Sequence, residues 1–85
     1  MNTYSVEVRI APRQGLLDPQ GKAIQSALRS LDFETIADVR VGRLVRLRLT
    51  AESAQVAEAV TDEMCRKLLA NPVTEDYDIR VDGGA

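Results

Sequence analysis

The stretch "TIADVRVGRLVRLRL", Thr35 to Leu49, decides how many strands this chain builds. Val39 and Val41 alternate with polar residues before Gly42. Val45, Leu47 and Leu49 alternate after Arg43, with Arg46 and Arg48 on the opposite face. Alternation with period two marks strands that bury one face. Gly42 is the one residue there at ease with a positive φ, so a two-residue turn at Gly42-Arg43 is predicted. The whole stretch then reads as a β-hairpin.

Working outward, "YSVEVRI" puts Tyr4, Val6, Val8 and Ile10 on one face and Ser5, Glu7 and Arg9 on the other, a half-buried strand that Pro12 ends. Asp18 then stands at a helix N-cap with Pro19 at the first helical position, where a missing N–H costs nothing. Ile24, Ala27, Leu28 and Leu31 follow at helical spacing, and the helix is expected to stop near Asp32. A second helix is predicted over 54–70, with Val56, Ala57, Val60, Met64 and Leu68 on its inner face. Asn71 suits the left-handed position after a helix and Pro72 blocks continuation. "EDYDIRV" gives the last strand, with Tyr77, Ile79 and Val81 facing inward.

The predicted order is strand–helix–strand–strand–helix–strand. An α+β domain of ferredoxin-like βαββαβ type follows, with a four-stranded antiparallel sheet and two helices on one face. The 85 residues make room for one domain, 1–85, with a frayed tail at 82–85.

Composition narrows the function. Only Tyr4, Phe33 and Tyr77 are aromatic, so the core is aliphatic. A domain this small buries roughly 60–65% of its unfolded surface, and such cores are often reinforced. Cys65 is the single cysteine and there is no histidine, which excludes an intrachain disulfide and an ordinary structural zinc site. Subunit contacts remain as the reinforcement. A net charge of −2 lacks the basic excess of a nucleic-acid binder. No apolar run approaches the ~20 residues that span a bilayer. The N-terminus has no signal-peptide pattern and the lone cysteine suits a reducing compartment, so a cytoplasmic location is expected.

The candidate chemistry is thin. Without histidine there is no triad or histidine base. Cys65 follows Asp62 and Glu63, which disfavour a thiolate, so it reads as a packing group. The loop "APRQGLLDPQG" invites comparison with a phosphate cradle, yet Asp18 at the helix start would repel an anion. An acylphosphatase-like site also needs an asparagine beside that loop, and Asn2 and Asn71 are poorly placed. Arg40, Arg43, Arg46 and Arg48 form a basic cluster on the hairpin's outer face, a sheet face expected to carry the acids Glu7, Asp76, Asp78 and Asp82 as well. No aromatic lies among them to stack a base, so the cluster reads as an ion-pair or subunit-facing surface. A small-molecule-sensing regulatory domain of the same fold is the competing reading.

Two segments carry a resemblance: "GLLDPQGKAI" before the first helix and "CRKLLANPVTEDY" after the second. Both resemble the PurS family, the small subunit of phosphoribosylformylglycinamidine (FGAM) synthase. The pattern matches at Asp18, Pro19, Gly21, Leu28, Gly42, Leu68, Leu69, Asn71, Pro72, Glu75 and Tyr77, and the likeness runs from about Tyr4 to Val81. Asp32 stands where glycine is usual before Phe33; Arg13 and Arg43 stand where lysine is common. The resemblance implies a role in the fourth step of de novo purine synthesis. A large subunit would use ATP and magnesium to activate formylglycinamide ribonucleotide, and a glutaminase subunit would release ammonia. This chain would join them, with no catalytic, cofactor or metal residue of its own. Asp18, Pro19, Gly21, Gly42, Arg43, Asn71, Pro72, Glu75 and Tyr77 become structural or interface candidates, in a homodimer or a dimer of dimers.

Overall fold

The structure is a computed structural model that describes residues 1–13, 15 and 18–83. The elements are β1 (Asn2–Pro12), α1 (Pro19–Ser30), β2 (Arg43–Ala51), α2 (Ala54–Met64) and β3 (Glu75–Gly83). A π-type turn, Cys65–Leu69, extends α2. The three strands form one antiparallel sheet in the order β2-β1-β3. The fold is therefore α+β, with two helices and three strands. Of the loop before α1, Gln14, Leu16 and Leu17 lie outside the described residues, as do Gly84 and Ala85.

β1 is the central strand because its inward face is apolar along its length. Tyr4, Val6, Val8 and Ile10 are all buried, Val8 completely. Each fully buried Val or Ile is worth about 1.5–3 kcal/mol. Across from them lie Ala57, Thr61 and Cys65 of the second helix, one residue per turn, all completely buried. Small side chains there let α2 lie close on the sheet, and the Thr61 hydroxyl is satisfied by donating to the Ala57 carbonyl at 2.8 Å. Val45, Leu47 and Leu49 on one side, and Tyr77, Ile79 and Val81 on the other, are half-buried against this core.

The predicted hairpin does not form. Residues 36–42 belong to no helix, turn or strand, and β2 begins at Arg43 itself, whose Cα lies opposite Ile10. No residues are left over for a turn, and Gly42 has no positive φ. The sheet within this chain consequently has three strands where the alternation predicts four. The physical reason is that alternation specifies a face, not a partner.

α1 is the second departure. Among the described residues it makes no substantial contact with the sheet or α2. The molecule measures 52 × 27 × 14 Å, with a radius of gyration of 16.5 Å, against about 12 Å for a compact chain of this length. α1 and the irregular return, residues 36–41, form an arm. Gln25 Nε2 donates to the Ala37 carbonyl at 3.3 Å and Arg29 to the Ile36 carbonyl at 3.0 Å, tying helix to return. The helix stops where Asp32 turns left-handed at φ 72°, with the Phe33 N–H donating to the Leu28 carbonyl at 3.1 Å.

Two smaller expectations change as well. Val56, Val60, Met64 and Leu68, placed on the inner face of the second helix, are exposed along one flank. Asp82 and Gly83, read as part of a frayed tail, sit in β3 opposite Ser5 and Tyr4. No described helix is long and apolar enough to cross a membrane.

Candidate functional site

The candidate residues gather at one end of the sheet, where Ile10 to Pro12 meet the start of β2 and the start of β3. They fall into two groups joined by the peptide bond between Gly42 and Arg43.

The first group holds the base of the arm. Asp18 caps α1 through Oδ1, which accepts the Gly21 N–H at 3.0 Å, and Pro19 occupies the first turn. Its other oxygen accepts the Val41 N–H at 2.9 Å. These two bonds, the Gly21 bond foremost, hold the Asp18 carboxyl below its ordinary value. With both oxygens occupied and a negative charge in place, this helix start is closed to an anion. Gly21 is buried because the return passes directly over it; a Cβ there would overlap the Val39 carbonyl oxygen. Gly42 is needed for the same kind of reason, since a Cβ would overlap the Ile10 carbonyl oxygen. Close backbone approach, rather than a turn, explains this glycine.

The second group ties the end of the second helix to β2 and β3. Glu75 Oε1 accepts the Asn71 N–H at 2.8 Å and the Arg43 guanidinium at 2.7 Å. Arg43 also donates to the Leu69 carbonyl at 3.0 Å, one of the groups a helix end leaves without a partner. Asn71 does not take the left-handed conformation expected of it. Its side chain instead accepts the Val73 N–H at 3.0 Å, while Ala70 breaks the helix in an extended conformation. The Pro72 carbonyl accepts from Arg13 at 2.6 Å. Tyr77 donates its hydroxyl to Asp62 at 2.5 Å, and that bond raises the Tyr77 pKa. Sequence reasoning missed Arg13 and Asp62 as members of this group; nothing local in the sequence marks a partner 59 or 15 residues away.

The arginine cluster is divided. Arg43 points to the helix end, whereas Arg46 pairs with Glu7 at 3.2 Å on the outer sheet face, near the Arg9–Asp78 pair at 3.0 Å. These pairs are exposed and worth about 0–1 kcal/mol each. Cys65 is fully buried, and burial pushes its thiol pKa up, with the Asp62 charge adding to the effect. Among the described residues no group of three or more His, Cys, Asp or Glu could hold a metal ion.

This scaffold engages its candidate polar residues in caps, helix ends and backbone contacts. Comparison with known proteins places it more narrowly. The family PurS, phosphoribosylformylglycinamidine (FGAM) synthase, matches residues 5–83. The chain belongs to the PurS family. It is 40% identical over 79 residues to the phosphoribosylformylglycinamidine synthase subunit PurS of Bacillus subtilis, covering 93% of each chain. The crystal structure of Methanocaldococcus jannaschii PurS, described as one of the subunits of formylglycinamide ribonucleotide amidotransferase, superposes with a TM-score of 0.81 at 37% identity. It covers 93% of this chain and 95% of that one. A chain of the structure of PurLQS from Thermotoga maritima gives a TM-score of 0.87 at 28% identity, over 96% of this chain and all of that one.

Proposed function

We propose that this chain is the small, non-catalytic subunit of FGAM synthase and that it joins the glutaminase to the large synthase subunit. Ammonia released from glutamine then reaches the activated amide of formylglycinamide ribonucleotide without escaping. ATP and magnesium belong to the large subunit; this chain contributes no catalytic, cofactor or metal residue. The observation that carries the reading is the near-complete match to a chain of the Thermotoga maritima PurLQS structure. The side-chain chemistry supports it: Cys65 is buried with a raised pKa, and Asp18 and Glu75 already accept two hydrogen bonds each.

In this reading the chain works as one domain in the cytoplasm, as a homodimer or dimer of dimers. The fourth strand and second covering helix of a ferredoxin-like fold are completed in the assembled state. Asp18, Pro19, Gly21 and Gly42 shape the arm, while Arg43, Asn71, Pro72, Glu75 and Tyr77 fix the sheet end beside it.

The test compares two nitrogen sources. With the glutaminase and large subunit present, omitting this chain is expected to abolish glutamine-dependent synthesis while leaving most synthesis driven by concentrated ammonium salt. Undiminished glutamine-dependent turnover without the chain would overturn the bridging role, and equal loss from both sources would indicate a catalytic one.

A further inference from the structure

We propose that the outer face of the sheet docks an acidic segment of another FGAM synthase subunit. Arg48 is the anchor, and the group it takes is an aspartate or glutamate of that partner. This rests on the assembly role proposed above and names the surface and chemistry through which it works.

The helices leave this face bare. α2 packs on the face of Val6, Val8 and Ile10, and among the described residues α1 makes no substantial contact with the sheet. The strand register sets the outer side chains in rows, and one row is unmatched in charge. Arg9 lies beside Asp78 and pairs with it at 3.0 Å. In the next row Glu7 lies between Arg46 and Arg80 and pairs with Arg46 at 3.2 Å. In the third, Ser5 separates Arg48 from Asp82. A serine cannot neutralise a guanidinium, and Asp82 stands two strand spacings from Arg48, about 10 Å. Asp82 is also engaged by Arg80 at 3.6 Å. Among the described residues Arg48 therefore has no ion pair, and the row asks for a carboxylate from outside.

Shape agrees with charge. Over the short Ser5 side chain lies a depression of about 420 Å³, walled by Glu7, Arg46, Arg48 and Asp82. A carboxylate entering it can accept two parallel N–H bonds from Arg48 and one from the Ser5 hydroxyl. Asp82 and Glu7 are acceptors, and they suit a segment that brings N–H or hydroxyl donors with its acid. A free phosphate would meet those two carboxylates with nothing to offer them. A second copy fits poorly too. Laid face to face about a two-fold axis through Glu7, it would set Glu7 against Glu7 and Arg46 against Arg46 or Arg80. Like charges meeting in this way oppose association. The occupant is therefore a different subunit.

The test titrates the full chain into a mixture of glutaminase and large subunit and reads the half-saturating concentration in glutamine-dependent synthesis. Wild type is compared with Arg48→Lys, Arg48→Gln and Arg48→Glu. Arg48 is exposed, so melting points should stay within about 4 °C of wild type. The half-saturating concentration is expected to rise roughly 30-fold in Arg48→Gln, as loss of a charge pair desolvated at an interface gives. It should rise further in Arg48→Glu and less in Arg48→Lys, which keeps the charge without the fork. Added salt should weaken wild type more than Arg48→Gln. Equal half-saturation in all four chains overturns the docking surface, and tighter binding by Arg48→Glu overturns its chemistry. If isolated Arg48→Glu sediments as a smaller assembly than wild type, the face holds another copy and the proposal falls. A wild-type chain that never restores glutamine-dependent synthesis overturns the assembly role itself.

Discussion

Asp18 accepts the backbone N–H of Val41 at 2.9 Å, across 23 residues of sequence. The same carboxylate caps its own helix through Gly21. One side chain thus sets both the start of α1 and the path of the return segment. Asp18→Ala removes both bonds. Loss of an N-cap in a domain of this size lowers Tm by about 4–8 °C, and the second bond should put this variant at the upper end. Thermal melts at neutral pH check this.

The same residue predicts a pH dependence. Its folded-state pKa lies below the ordinary 3.8, so its contribution is complete above the unfolded value and is lost as pH falls through the folded one. Asp18→Asn should therefore be less stable than wild type at pH 6, with the gap closing below about pH 4. Denaturant midpoints measured across this range test the sign. A gap that widens on acidification would contradict the hydrogen bonds described.

Gly42 separates two physical explanations of a glycine. A positive φ would make asparagine a better replacement than alanine, because asparagine tolerates the left-handed region. A close approach to the Ile10 carbonyl penalises both, since each adds a Cβ. Gly42→Ala and Gly42→Asn are expected to destabilise to similar extents, by about 1–3 kcal/mol as overpacked sites do. Urea unfolding of the pair decides it.

Glu75 and Arg43 differ in what they hold. Glu75 satisfies both a backbone N–H and a guanidinium, whereas Arg43 is 55% exposed at its side chain and gains less from the ion pair. Glu75→Ala should cost about 1–2 kcal/mol, and Arg43→Ala under about 1 kcal/mol. Chemical denaturation of the two variants and their double mutant gives the coupling directly.

Cys65 is buried against the β1 core, with its thiol pKa raised by that burial. It should resist thiol reagents in the native state and react fully once the chain is unfolded. Cys65→Ser should lose more stability than Cys65→Ala, because a hydroxyl left unpaired in an apolar site costs about 1–3 kcal/mol. Activity of the assembled complex is expected to survive both.

The sequence by itself determined most of the local structure. Alternation in β1, in residues 45–49 and in 77–81 marked three strands and their inward faces, because a strand's period of two leaves only that choice. Asp18-Pro19 marked a helix start, and Asp32 a stop, because caps are local chemistry. What lay beyond reach was every decision about partners. Val39 and Val41 alternate as a strand does, yet find no strand in their own chain, since the segment runs straight into β2 at Arg43 with no residues left for a turn. Val56, Val60, Met64 and Leu68 form as good an apolar stripe as Ala57, Thr61 and Cys65, but the sheet takes the smaller residues, which allow α2 to lie closer. A hydrophobic pattern records that a surface wants cover; only the tertiary structure decides which surface gets it, because burial depends on distances between elements far apart in sequence.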